Sequence, residues 1–270
     1  MRTKSSRAVS RRYLLAGVVE LVLVTVASAF LGTVHAAEDS GAAKAEENKP
    51  ALGANWKTTH AKTNVADKAS LQRGARNFAN YCLGCHSLKY ERWSRLGQDL
   101  EIPADLLEKS MLPPGDKPAN YILTTMPAAD AETWFGKTPP DLSLMARSRG
   151  TDYLYQFLTT FYADPTRPTG ANNLRLPATA MPAVLSELEG VKHAVFNKDG
   201  GFEHFDVVAP GRLTQAEYEA FVRDTVNFLD YVGEPSQGAR RSLGVWVVLF
   251  LLVFSWLAWL MKKEYWKDVH

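Results

Sequence analysis

The hydrophobic pattern divides the chain into two apolar ends and a mixed body. From Leu243 to Met261 there are 19 consecutive positions without a charged residue. At about 1.5 Å per residue a helix of that length is about 28 Å long, close to the roughly 30 Å hydrocarbon core of a bilayer. The segment shows no polar face, as a soluble amphipathic helix would, and Trp246, Trp256, Trp259, Tyr265 and Trp266 offer aromatic anchors for the two interfaces. Tyr13–Leu31 is a second apolar run. It is preceded by a basic stretch, Met1–Arg12, and followed by the small-x-small pattern Val34-His35-Ala36, which predicts a secretory signal cleaved near Ala36; the alternative is an uncleaved membrane anchor, which Glu20 inside the run disfavours.

Between the ends the periodicity is helical. Leu71, Gly74, Ala75 and Phe78 share one face and predict a helix from about Ser70 to Tyr81. Shorter helices are expected near Asp141–Arg147 and Tyr153–Ala163. The best-specified helix starts at Thr214-Gln-Ala-Glu217, a capping box, with Leu213 and Tyr218 positioned as a hydrophobic staple. Its inward stripe is Tyr218, Phe221, Val222, Thr225, Phe228, Leu229 and Val232, and Gly233 with Pro235 ends it. Pro113–Pro140 and Asp164–Arg175 read as loops, and Ala37–Leu52 as a leader without aromatic residues. No strong strand alternation and no internal repeat is apparent. The expected organisation is a signal sequence over 1–36, a flexible leader over 37–52, an extracytoplasmic domain over 53–239, a membrane anchor over 240–263 and a short tail over 264–270.

Composition narrows the function. Of 270 residues, 46% are hydrophobic and 22% charged, as in a folded protein. Two cysteines exclude a disulfide scaffold and a four-cysteine metal site. The net charge of +2 gives no reason to expect nucleic acid. Both apolar ends are basic, which leaves a net of −5 on Ala37–Ala239: an acidic body between membrane-directed ends, suited to steering a basic partner.

The two cysteines stand as Cys82-Leu-Gly-Cys85-His86, the attachment pattern of haem c. Two thiols three positions apart can each add to a vinyl group of the macrocycle, and the adjacent imidazole then becomes the proximal iron ligand. A thioredoxin-like pair would require a βαβ context, and a zinc site would need more cysteines. Haem is attached outside the cytoplasm to an unfolded chain. That argues against the folded-protein export route that Ser10-Arg-Arg-Tyr-Leu-Leu15 otherwise suggests. Export of the N-terminus in turn sets the body outside the cytoplasm and the tail inside. The sixth ligand is open among Met111, Met126, Met145, Met181, His60, His193 and His204. Met145 falls in a helix, where packing is the expected role, whereas Met126-Pro127 and Met181-Pro182 lie in irregular segments. Met181 is favoured by its place after the second long loop and before the last helix of the body.

Leu71-Gln-Arg-Gly-Ala-Arg-Asn-Phe78, Tyr81-Cys-Leu-Gly-Cys-His-Ser-Leu-Lys-Tyr90, Pro139-Pro-Asp-Leu-Ser143, Ala146-Arg-Ser-Arg149 with Asp152-Tyr153, and Ala180-Met-Pro182, together with one C-terminal apolar helix, resemble the cytochrome c1 family of the respiratory bc1 complex. The resemblance implies a mainly α fold: a c-type cytochrome domain with long loop insertions and one C-terminal transmembrane helix. It implies one covalent haem c, iron ligands His86 and Met181, and a crevice lined by Pro140, Arg149 and Tyr153, with Arg149 facing a propionate. Arg149-Gly-Thr151 is shorter than the family's usual Arg-His-Gly-Gly segment, so the register of Tyr153 departs from the pattern. The implied partners are cytochrome b, a Rieske iron–sulfur subunit and a c-type cytochrome acceptor, at the inner (cytoplasmic) membrane with the haem domain in the periplasm. No bond-making catalysis is required of this chain. Two rivals remain: an anchored cytochrome c subunit of a terminal oxidase, and a haem enzyme or sensor with an open sixth position.

Overall fold

The structure, a computed structural model, describes residues 54–268; the expected signal sequence and leader lie outside the described residues. A 3₁₀ turn, Ala54–Thr58, leads into helix α1, Lys68–Tyr81. Asp67 caps α1 by accepting from the Ser70 amide. Helix α2, Trp93–Asp99, and α3, Ala104–Ser110, follow strand β1, Leu88–Arg92. Strand β2, Tyr121–Ile122, pairs antiparallel with β1. Helices α4, Ala128–Phe135, α5, Met145–Arg149, and α6, Thr151–Thr159, come next. Strands β3, Phe161–Ala163, and β4, Ala171–Asn173, form a short ladder. Helix α7, Ser186–Glu189, opens a long hairpin of β5, Gly190–Phe196, and β6, Phe202–Pro210. Helices α8, Gln215–Gly233, and α9, Gln237–Tyr265, complete the described chain.

The core is organised by the crossing of α1 with α8. Leu71, Ala75 and Phe78 from α1 are buried against Val222, Phe228 and Leu229 from α8. The rings of Phe78 and Phe228 lie 5.9 Å apart, and Tyr81 meets Phe221 edge-on at 5.4 Å, geometries that aromatic quadrupoles favour. Gly74 permits the approach: a Cβ there would lie 2.1 Å from the Asp224 carbonyl oxygen and 2.6 Å from Phe228 Cβ. A polar seam runs beside the apolar one. Asn77 donates to the Phe221 carbonyl and to Thr225 Oγ1, while Asp224 accepts from Ser70 and, through both oxygens, from Arg73. The capping box of α8 is complete, with Thr214 and Glu217 bonding reciprocally, and six of the seven stripe residues are buried.

Departures from the sequence expectation have local causes. The helix expected over Asp141–Arg147 starts only at Met145, because Asp141 is engaged in a turn: its carboxylate accepts from the amides of Ser143 and Lys89. The helix expected to reach Ala163 stops at Thr159. There Thr159 and Thr160 turn their hydroxyls back onto the carbonyls of Tyr155 and Gln156, and Phe161 enters β3. The Pro113–Pro140 stretch contains α4, which begins after Pro127. The β5–β6 hairpin had no alternating signature because bulges at Val191/Lys192 and Val195/Phe196 break its period. Lys192 occupies an inward position while Val207 and Val208 face outward.

Glu234, at the junction of α8 and α9, accepts from Arg147 of α5 and from Arg240 of α9. Those guanidiniums hold its carboxyl down at about 2. Helix α9 is 29 residues long, apolar enough to cross a membrane, and buries none of its side chains against the rest of the described chain.

Candidate functional site

Helix α1 delivers Cys82 to the site as its C-cap. The chain then winds tightly: the amides of Cys82 and Leu83 donate to the Phe78 carbonyl, and those of Cys85 and His86 donate to the Cys82 carbonyl. Both thiols are half-buried and unbridged. Burial pushes Cys82 up to about 12, with the Cys85 charge adding, and burial also pushes Cys85 up. Neither sulfur is the activated thiolate of a disulfide-exchange pair.

Five hydrogen bonds immobilise the loop and the strand it leads into. Thr124 donates its hydroxyl to the Gly84 carbonyl, and its amide donates to Ser87 Oγ. The Leu142 amide donates to the Ser87 carbonyl, and the Tyr90 amide to Ser143 Oγ. His86 Nδ1 lies 2.8 Å from the Pro140 carbonyl oxygen, so Nδ1 carries the proton and Nε2 keeps its lone pair. Burial pushes the imidazole below its ordinary value, opposed by the Pro140 contact and the Asp141 charge. Two adjacent thiols and a neutral, oriented imidazole are the donor set that haem c requires, so the residues fit the group.

The sequence-predicted residues fall into three sets. Cys82, Cys85, His86 and Pro140 form the first. Arg149 and Tyr153 form the second: the Arg149 guanidinium carbon is 5.7 Å from the centre of the Tyr153 ring, close enough for a cation–π contact. Met181 belongs to a third, bordering a small cavity with Leu158, Phe161, Leu185 and Tyr218. Asp141, Ser143, Ser87 and Thr124 were not singled out from sequence. The Asp-x-Ser turn signal after Pro140 was visible, but its partners on β1 were not.

The arrangement defines a class: a helical domain built round a Cys-x-x-Cys-His loop and followed by one long apolar helix. The sequence model of the Cytochrome C1 family matches residues 56–269. The chain is 46% identical over 216 residues to cytochrome c1 of Allochromatium vinosum, covering 78% of this chain and 88% of that protein. It is 41% identical over 218 residues to a protein named ammonia monooxygenase gamma subunit of Nitrosomonas europaea, covering 81% and 91%. It is 28% identical over 265 residues to cytochrome c1 of Rhodospirillum rubrum, covering 85% and 92%. A chain of a hyperthermophilic respiratory complex III aligns over 94% of this chain and 99% of its own at TM-score 0.36 and 18% identity, a superposition too loose to carry argument. The chain belongs to the cytochrome c1 family. It is accordingly a haem c electron carrier of respiratory electron transport.

Proposed function

We propose that this chain carries one haem c bonded through Cys82 and Cys85, with His86 and Met181 as the residues that would ligate its iron. In this reading it passes electrons from a Rieske iron–sulfur subunit to a c-type cytochrome, in a complex with cytochrome b. The hydrogen bond from His86 Nδ1 to the Pro140 carbonyl carries the ligand assignment, because it fixes the tautomer and leaves Nε2 as the donor. Among the described residues Nε2 has no protein partner of its own.

The positions and partners of the rival ligands support Met181. Met111 and Met145 pack against the core. Met126 is tied through its amide to Thr124, whose hydroxyl holds the Gly84 carbonyl, so it belongs with the attachment loop and the proximal ligand. His60 is engaged by Asp152 and His204 by Asp206, and His193 is exposed on β5. Met181 lies just after buried Thr179, on a segment fastened by Arg167 and Asn172 to the backbone of Ala178.

When bound, haem c supplies a reversible one-electron iron couple, which a thioether ligand biases toward the ferrous state. The chain contributes the rest. His86, oriented by the Pro140 carbonyl, and Met181 would hold the iron, and a pair of protein ligands kept through the change of charge would limit reorganisation. Leu158, Phe161 and Leu185 give the cavity beside Met181 apolar walls. Helix α9 crosses the membrane once, with the domain on the periplasmic side of the cytoplasmic membrane and the tail inside.

The test is purification of the full chain in mild detergent. The expected result is a polypeptide that stays peroxidase-positive after denaturing electrophoresis and co-purifies with a b-type cytochrome and a Rieske centre. A weak ferric band near 695 nm, of the order expected for methionine ligation, should vanish in Met181→Ala. A colourless polypeptide refutes covalent haem, and a band that survives Met181→Ala refutes the ligand.

A further inference from the structure

Arg175 shares the ring of Tyr153 with Arg149. Its guanidinium carbon lies 4.7 Å from the ring centre, nearer than that of Arg149 at 5.7 Å. Two like charges are thus gathered on one aromatic ring. Among the described residues neither guanidinium has a carboxylate partner or a side-chain hydrogen bond. By contrast, Arg73, Arg95, Arg147, Arg212 and Arg240 each reach an aspartate or glutamate.

The placement of Arg175 is built from buried parts. Asn173 is fully buried, and its side-chain oxygen accepts from the amides of Arg175 and Leu176. The Asn173 amide group donates to the Phe157 carbonyl at 2.7 Å. Phe157 lies one turn beyond Tyr153 on α6, and the two rings stack with an interplanar angle of 3°. One buried side chain therefore couples the backbone carrying Arg175 to the helix carrying Tyr153. Arg149 arrives from the end of α5, separated from Tyr153 only by the Gly150 turn, where φ is +89°. Each guanidinium is a planar, permanently charged fork of the kind that binds a carboxylate through paired hydrogen bonds.

We infer that Arg175 is a second propionate-binding residue, acting with Arg149 on the carboxylate edge of the haem. The inference rests on the haem reading above and adds to it a residue that raises the reduction potential, because a nearby positive charge disfavours the ferric iron.

The experiment is a potentiometric titration of the full-length, detergent-purified holoprotein carrying Arg175→Gln, Arg149→Gln, both, or Arg175→Lys. At the wild-type midpoint potential, Arg175→Gln should raise the ferric-to-ferrous ratio roughly three- to tenfold, the size expected for loss of one charge at partly screened range. Arg175→Lys should restore most of it. The double variant should fall short of the product of the single ones, since the two cations share one anion. An unchanged midpoint in Arg175→Gln, or a shift that Arg175→Lys does not reverse, overturns the assignment. Either result in a protein that keeps its haem stain and methionine band leaves the haem reading intact. Loss of the stain in the wild type would instead defeat that reading.

Discussion

Replacing Gly74 by alanine probes the contact on which the whole site is mounted. The added methyl would lie 2.1 Å from a backbone oxygen of α8 and 2.6 Å from Phe228 Cβ. Neither is the end of a flexible side chain, so α1 and α8 must separate by about 1 Å to reach ordinary contact in a close-packed interior. Separation loosens the Phe78–Phe228 pair and lengthens the bonds from Asn77 to the Phe221 carbonyl and Thr225, already 3.2 and 3.1 Å. Overpacking of this kind costs about 1–3 kcal/mol, and weakening a buried hydrogen bond about 1 kcal/mol more. Alanine recovers about 1 kcal/mol of helix propensity. The net loss is about 2 kcal/mol, which for a domain of this size lowers Tm by roughly 4–8 °C. Thermal unfolding of the detergent-purified chain, followed by far-ultraviolet circular dichroism, measures it. Gly238→Ala, where an added Cβ meets nothing within 4 Å, should leave Tm unchanged or slightly higher. A Gly74→Ala protein as stable as wild type would refute the argument that glycine sets this crossing.

Two further perturbations report on buried charge. Glu91 is buried with one oxygen unpartnered, and burial, reinforced by the Asp99 charge and opposed by Arg95, pushes its carboxyl up to about 7 from 4.5. Because the folded-state value is the higher one, Glu91 stabilises the fold below about pH 4.5, and that contribution is lost as pH rises through 7. Glu91→Gln should therefore be more stable than wild type by roughly 1–2 kcal/mol at pH 8, with no such advantage at pH 4.5; parallel denaturant midpoints across that range would exclude this. Glu189 and Lys192 form a buried ion pair at the root of the hairpin, with Lys192 also donating to the Thr159 carbonyl and lying over the Phe205 ring. Burial pushes Glu189 up and Lys192 down, each opposed by the other's charge. Lys192→Met leaves Glu189 unpaired and should cost about 3–5 kcal/mol at pH 8, while adding Glu189→Gln should recover most of it. Denaturant unfolding of both variants checks this, and equal losses would contradict it.

What was legible in the sequence was what short-range chemistry encodes. The α8 capping box needs only Thr214 and Glu217, three residues apart, and it forms as read. The α1 stripe and the apolar α9 segment are likewise local periodicities. The hairpin was missed because its polarity is decided elsewhere. Lys192 occupies an inward position only because Glu189 and Thr159 satisfy it there, and Val207 and Val208 point outward across a bulge. Neither choice leaves a period of two in the sequence. The same holds for the lost turn of the Tyr153 helix, where Thr159 and Thr160 bond backward and the following aromatics pair with β4 instead.

The site divides along the same line. Cys82, Cys85 and His86 are contiguous, and their spacing alone states the chemistry. The residues that make His86 a usable ligand are not contiguous with it: Pro140 lies 54 positions away and contributes a backbone oxygen, which any residue type could supply. Sequence therefore favoured Pro140 only through family resemblance, while the structure gives the physical reason in the orientation of the imidazole. Arg175 shows the limit most clearly. Nothing about an arginine in a Pro- and Asn-rich loop distinguishes it from a solvated surface charge. Its significance comes from buried Asn173, which bonds the Arg175 amide on one side and the Phe157 carbonyl on the other, and so brings a second cation to a ring that Arg149 already occupies.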